Sequence, residues 1–527
     1  MKPFDARGKF QFTPDNVPRR AVRGAGATLI SSVSSLAIQI ISTMILARLL
    51  VPADFGLIGM VSLFSLLLVN CGPNGMTEAI LQVDEIDHFL ASNLFWVNIG
   101  LGVLLTVGFA AAGTLLARFY HDPRVTHVAV GMSVTVFISS TSVQHVALLK
   151  RAMRFSVVSA NDVIARLVST VVSIGLGWAG WGYWALVGGS VALALSTSIG
   201  AWSLCRWLPG RPRTGVGTRP MVRFAMHTYG RFAANYFANN TDNFLVGWRF
   251  GATPLGFYKK AYDLFNLPMS LSTASLTNVA VSALSRFRGN PVKYKQHLLG
   301  VLSVVAFVGM AFSGDLTLVG RDLIRLLLGP GWERAGRIFT LFGPGIGIMI
   351  LYQIHGWINL SIGRADRWFR WGLFEAVVTV LLLVMALPWG PEGIAVAWIA
   401  SYFILIAPAF WYAGKPIDFG FGPVLATIWK YLVASLLAGC ATAGIAKVIL
   451  SAVSASSAAG ALIRLVATSM LFVVLYLVAV IVLHGGYAPL RQLTGLLREM
   501  LPASLFSKLS PDAAATPVIG PDEVVVP

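Results

Sequence analysis

The chain is a succession of apolar stretches, each about as long as a bilayer is thick. A hydrocarbon core of about 30 Å is crossed by about 20 residues of helix. On that measure the 527 residues hold fourteen candidate spans, near 26–48, 55–77, 92–117, 125–148, 157–179, 182–205, 223–247, 255–283, 297–319, 336–361, 369–388, 392–413, 426–450 and 461–484. Backbone groups in lipid must find partners within their own segment, so runs of this kind fold as helices. The expected fold class is all-α, a polytopic membrane protein of about fourteen transmembrane helices. The seventh and eighth stretches are the least apolar. They carry Arg231, Asp242, Lys259, Lys260 and Asp263, and a hydropathy window alone would pass over either.

Composition leaves no soluble alternative. Hydrophobic residues make up 56% and charged residues 12% of the chain, where soluble domains carry about 25% charge. Cys71, Cys205 and Cys440 sit far apart inside apolar runs and form no disulfide or zinc pattern. Residues 1–25 are polar and basic. The segment after them is longer than a signal-peptide core and lacks a small-residue cleavage site, so it reads as an uncleaved first span. Arg19-Arg20 is not read as a twin-arginine signal, for the same reason.

The punctuation between spans repeats. Ala47-Arg48-Leu49-Leu50-Val51-Pro52-Ala53-Asp54-Phe55-Gly56-Leu57-Ile58 is answered by Gly247-Trp248-Arg249-Phe250-Gly251-Ala252-Thr253-Pro254-Leu255-Gly256-Phe257-Tyr258. Tyr120-His121-Asp122-Pro123 is answered by Leu328-Gly329-Pro330-Gly331, and Gly182-Tyr183-Trp184-Ala185 by Gly393-Ile394-Ala395-Val396. Three pairs in one order point to a duplication, an arrangement in which two halves face each other across a central site. The expected organisation is a basic tail (1–25), an N-lobe (26–205), a linker (206–222), a C-lobe (223–413), two further spans (426–484) and a terminal segment (485–527).

Charge sets the orientation. With the N-terminus inside, cytoplasmic segments hold 26 Lys/Arg and the opposite side 12, with Arg166 and Arg231 inside spans. This bias places both termini in the cytoplasm of an inner or plasma membrane protein. The acidic loop 78–91 breaks the trend. The net charge of +18 is dispersed over many short loops facing anionic lipid, so nucleic acid is not an expected partner. The loops are too short to fold as a catalytic domain, so an enzyme is not expected, and no nucleotide fingerprint occurs, so ATP-driven transport by this chain alone is not expected either. Leu490, Leu493, Leu497, Met500 and Leu501 share one helical face, as in a helix lying at the interface. Residues 509–527 have the composition of disorder.

Charges and amides inside spans are costly unless they face a bundle interior or water. Asp162 and Arg166 stand four apart, the spacing of a same-face ion pair. The alternatives left open are a self-neutralised pair and an Arg166 that meets an anionic substrate. Arg231 has no acid one turn away. Its alternatives are a pairing across helices, snorkelling to the rim, and a cavity role. Asn235, Asn239 and Asp242 belong to an amide-dense run that must bond between helices or face water, and Asn98 reads the same way. Asp263 and Glu375 are lone acids that could take up a proton or Na⁺, or make a helix–helix hydrogen bond. His227, His297 and His355 lack metal-ligand spacing. No metal and no cofactor are assigned.

Several stretches resemble a known family, the polysaccharide (O-antigen or exopolysaccharide, Wzx-type) flippases of the multidrug/oligosaccharidyl-lipid/polysaccharide exporter superfamily. They are 46–59, Leu94-Phe95-Trp96-Val97-Asn98, 149–155, 180–187, Asn240-Thr241-Asp242-Asn243, and 255–262 with Pro268. The resemblance implies two six-helix lobes forming a V, two extra C-terminal spans, alternating access, and a substrate of the undecaprenyl-diphosphate-linked oligosaccharide type. Expected partners are that lipid-linked glycan, membrane lipids, and a polysaccharide polymerase with its export machinery. A polar cavity with cations would lower the cost of carrying the diphosphate across, and Arg166 and Arg231, one from each lobe, are expected to meet it. Trp248 and the acidic loop 78–91 depart from the family pattern. The competing readings are a cation-coupled multidrug exporter, a peptidoglycan-precursor flippase and a membrane glycan polymerase.

Overall fold

The computed structural model describes residues 3–5, 7–10, 17–83, 85–213, 218–449 and 457–492. The N-half runs α1 (Val17–Leu49), α2 (Pro52–Val69), a π-helical turn (Gly72–Thr77), α3 (Glu78–Gln82), α4 (His88–Tyr120), α5 (Arg124–Ser140), α6 (Val143–Arg151), α7 (Phe155–Trp178) and α8 (Tyr183–Cys205). The C-half runs α9 (Thr218–Ala238), α10 (Thr241–Phe250), α11 (Ala252–Arg286), α12 (Pro291–Leu328), α13 (Glu333–Phe342), α14 (Gly345–Ser361), α15 (Ala365–Ala386) and α16 (Gly390–Gly414). A final pair follows, α17 (Phe421–Ile449) and α18 (Ala458–His484). Among the described residues the only β pairing is a pair of isolated bridges, Phe4 with Phe10 and Lys9 with Asp87.

Ten helical runs are long and apolar enough to cross a membrane, or eleven if the bent pair α13–α14 forms one span. One of the ten, Ala365–Ile417, contains both α15 and α16, which a 3-10 turn at Leu387–Trp389 separates. Helices α9, α10 and α11 cover the seventh and eighth stretches and fall short of that measure. The expected count of fourteen is therefore not reached by length and apolarity alone. The segment 78–91, expected as a loop, is helical at both margins. Its Asp87 carboxylate caps α4 by accepting from the Leu90 amide at 2.7 Å. Of the expected interfacial helix, Leu493 onward lies outside the described residues, as does 509–527.

The repeated punctuation is where the halves meet. A Cβ on Gly56 would fall on the Ala252 carbonyl oxygen, and a Cβ on Gly256 would fall on the Pro52 carbonyl oxygen. Residue 56 meets 252 as 256 meets 52, the reciprocity of a two-fold contact. Small residues let helix backbones approach this closely. Trp332 seals the joint. Its ring lies edge-on to Phe55 and to Phe257, at centroid distances of 5.5 and 5.8 Å. Its indole N–H donates to Ala47 O at 2.9 Å, and Arg48 returns a bond to Leu326 O at 2.9 Å.

One buried core spans both halves at this end, from Leu46, Phe55 and Tyr120 to Leu255, Trp332 and Ile394. At the other end the cores are separate. One holds Ile80, Leu94, Leu149 and Trp207. The second holds Leu284, Tyr294, Phe410 and Tyr431. The halves thus converge at a closed end and diverge at an open one. The linker is tied to the open end of the N-half, where Asn93 exchanges two hydrogen bonds with the backbone of Arg213, at 2.6 and 2.8 Å.

Gly56→Ala and Gly256→Ala are each expected to cost about 1–3 kcal/mol by overpacking. The thermal transition of the detergent-purified protein should fall, while Gly439→Ala, where a Cβ meets open space, should leave it in place. An unmoved transition in both Gly56→Ala and Gly256→Ala would contradict the backbone contact.

Candidate functional site

Helix α9 has two unlike faces. Met221 and Ala225 are buried in the open-end core of the N-half, and the Tyr229 hydroxyl donates to Leu67 O of α2 at 3.0 Å. On the other side Arg219, Arg223, His227, Arg231, Asn235 and Asn239 are all exposed. Each four-residue step rises about 6 Å and turns about 40°, so the row winds round the helix as it climbs. Arg231 is thirteen residues past Thr218, or about 20 Å along the axis. A cation at that depth of a span cannot face acyl chains cheaply, the cost being about 3 kcal/mol or more. This row is the polar exposed surface of α9.

The amide run explains why α9 stops where it does. The side chains of Asn239, Asn240 and Thr241 donate to the carbonyls of Asn235, Tyr236 and Phe237 at 2.8, 2.9 and 2.8 Å. Asn235 O and Phe237 O also accept the Asn239 and Asn240 amides, at 3.1 and 3.2 Å, so the side chains share the last-turn carbonyls with the backbone. The chain then restarts as α10, which packs among α2, α11, α15 and α16, while α9 stays on the N-half.

The structure brings together Arg231, Asn235 and Asn239 on this face and sets the other site residues elsewhere. Asp242 is 1% exposed and accepts from the Tyr258 hydroxyl at 2.8 Å and from Asn243 at 3.3 Å. Asn98 is buried and donates to Ser140 O at 2.6 Å, tying α4 to α5. Asp162 is exposed and Arg166 half-buried on α7. The ion pairs among the described residues are Asp122–Arg124, Lys259–Asp263, Arg334–Glu392, Asp366–Arg370 and Asp322–Arg464. The expected same-face pair of Asp162 and Arg166 is not among them, since four-residue spacing permits a pair without imposing one. Asp263 pairs with Lys259 at 3.1 Å, and Glu375 sits beside the Tyr352 hydroxyl.

Two lysines beneath the closed end were visible in the sequence only as a loss of hydropathy. The Lys260 ammonium lies 4.3 Å from the centroid of Phe55, a cation–π contact between the halves. A Cβ on Gly59 would lie 3.1 Å from Lys259 Cδ. The signal for both was their charge within an apolar run. Their position came from the α2–α11 joint.

A family model described as polysaccharide biosynthesis protein matches residues 45–336. The lipopolysaccharide biosynthesis protein WzxC of Escherichia coli (strain K12) is 21% identical over 407 residues, covering 74% of this chain and 81% of that protein. The succinoglycan biosynthesis transport protein ExoT of Rhizobium meliloti (strain 1021) is 20% identical over 367 residues, covering 70% of this chain and 74% of its own length. Among solved structures, the lipid II flippase MurJ in an inward closed conformation shares the fold, with a TM-score of 0.67 at 13% identity, over 86% of this chain and 97% of that one.

Burial separates the two acid–base classes in this region. Tyr258→Phe leaves the buried Asp242 carboxyl short of a partner and is expected to cost about 1–3 kcal/mol of stability. Arg231→Ala, on an exposed face, should leave the thermal transition within about 0.5 kcal/mol of the parent. Equal losses in both would contradict the assignment of Asp242 to packing.

Proposed function

The chain belongs to the polysaccharide biosynthesis protein family, and from that premise we propose that it is a flippase for polyprenyl-diphosphate-linked oligosaccharide repeat units. It moves them from the cytoplasmic to the outer leaflet of the inner membrane, for exopolysaccharide or O-antigen synthesis, by alternating access. The chain itself forms and breaks no covalent bond. The observation that supports the reading is the exposed row of cations and amides on α9, which in this reading lines the cleft between halves that close at one end.

A sugar diphosphate does not cross hydrocarbon unaided, because burying an unpaired charge costs many kcal/mol. In the cleft Arg231 meets the diphosphate, and Asn235 and Asn239 offer hydrogen bonds to sugar hydroxyls. The polyprenyl tail stays in lipid. Arg166 serves the diphosphate from the N-half when the halves exchange positions. The bias of Lys and Arg toward the segments at the open end supports an open end in the cytoplasm, with both termini on that side. With the interior negative, moving an anion outward gains about 2.3 kcal/mol per charge per 100 mV. Counter-ion coupling is compatible with that gain and is not needed for it; Asp263 and Glu375 are the acids available for it. The polymerase and export machinery then act on the delivered repeat units.

Deletion of the gene is expected to pile up undecaprenyl-linked repeat units on the cytoplasmic leaflet. Restoring Arg231→Ala should return only a small part of the export, about 10-fold or more below the parent for a lost charge-assisted contact. Arg231→Lys should return more, and Arg166→Ala should fall between the parent and Arg231→Ala. Parental export by both alanine variants would overturn the assignment.

A further inference from the structure

We propose that the face of α9 also selects its cargo: Arg219 and Arg223 bind carboxylate groups on the sugars, so this chain takes acidic rather than neutral repeat units. The inference rests on the flippase reading and adds the class of glycan to it.

The argument is one of length. Arg219, Arg223, His227 and Arg231 climb α9 one turn at a time, so the cations extend over about 18 Å. The two adjacent phosphates of a diphosphate can engage one rung or two neighbouring rungs. Arg231 takes that role, and Arg219 and Arg223 are left toward the open end, where the glycan trails or leads. Among the described residues none of them pairs with an acid, while α9 packs against α3, whose Glu78 opens the acidic segment 78–87. Helix α9 contains no Asp or Glu, and none of Arg219, Arg223 and Arg231 has a hydrogen bond or ion pair among the described residues.

Their position is also unfavourable for the helix alone. Like charges one turn apart repel, and cations near a helix N-terminus oppose the macrodipole. A neutral glycan relieves neither. A row of carboxylates spaced along a sugar chain relieves both, and each arginine can take a carboxylate through two N–H groups.

The test uses the full chain in nanodiscs of zwitterionic lipid, with tetragalacturonate as the acidic probe, maltotetraose as the neutral one, and undecaprenyl diphosphate in a separate titration. Tetragalacturonate is expected to bind at least about tenfold tighter than maltotetraose, through charge-assisted contacts. Arg219→Gln with Arg223→Gln should abolish that preference and keep undecaprenyl diphosphate binding. Arg231→Gln should weaken the diphosphate and keep most of the preference. The Lys pair at 219 and 223 should retain it, which guards against a folding defect.

Equal binding of the two glycans, or a preference that survives in the Gln pair, overturns the proposal. So does a preference erased by anionic lipid in the nanodisc, which assigns the arginines to headgroups. If undecaprenyl diphosphate fails to bind while the acid preference stands, the flippase reading fails and the acidic-sugar site remains.

Discussion

The molecule hangs on one backbone-to-backbone approach. Where α2 and α11 cross, the Cα of Gly56 rests on the carbonyl of Ala252, and the Cα of Gly256 on that of Pro52. No side chain fits between them. Two helices this close can rotate about the contact with little loss of packing, whereas sliding or parting them exposes the joint core. Trp332, clamped between Phe55 and Phe257, and the cross-bonds to Ala47 O and Leu326 O hold that pivot shut. The divergence of the cores at the far end is the geometric result of a fixed apex.

The two halves are duplicates in punctuation but not in use. Helix α1 is continuous and packs along α7 of its own half. Its counterpart is broken at Asn239 and Asn240, and the first piece, α9, crosses to the N-half. A helix that leaves its bundle turns one face to a new partner and leaves the opposite face without protein neighbours. In hydrocarbon that face would have to be apolar. Here it carries arginines and amides, groups that are costly against acyl chains.

The final helix pair belongs to the C-half mechanically. Ser435 donates to Met310 O at 2.8 Å and Tyr476 to Phe307 O at 2.7 Å, and Arg464 meets Asp322 at 3.3 Å. All three bonds end on α12. Any rotation of the C-half about the glycine pivot therefore carries α17 and α18 with it. The linker, by contrast, is fastened to α4 through Asn93 and Arg213 and stays with the N-half.

The sequence by itself determined the solvent, the helices and the two-fold plan. Those follow from local quantities: twenty apolar residues fit a bilayer, and a turn motif repeated at an interval of 200 residues is visible as text. It also marked the polar residues that hydrocarbon would not tolerate. What each of them faces was left to the tertiary structure. Asp242 and Arg231 read alike as charges in one weakly apolar stretch, yet the first is locked to Tyr258 and the second stands exposed. Asp162 and Arg166 have the spacing of a pair but do not close to a direct ion pair. Lys260 became a contact between halves only because Phe55 arrives from the other repeat. Exposure and partnership depend on helices far away in the chain, and no local pattern encodes them.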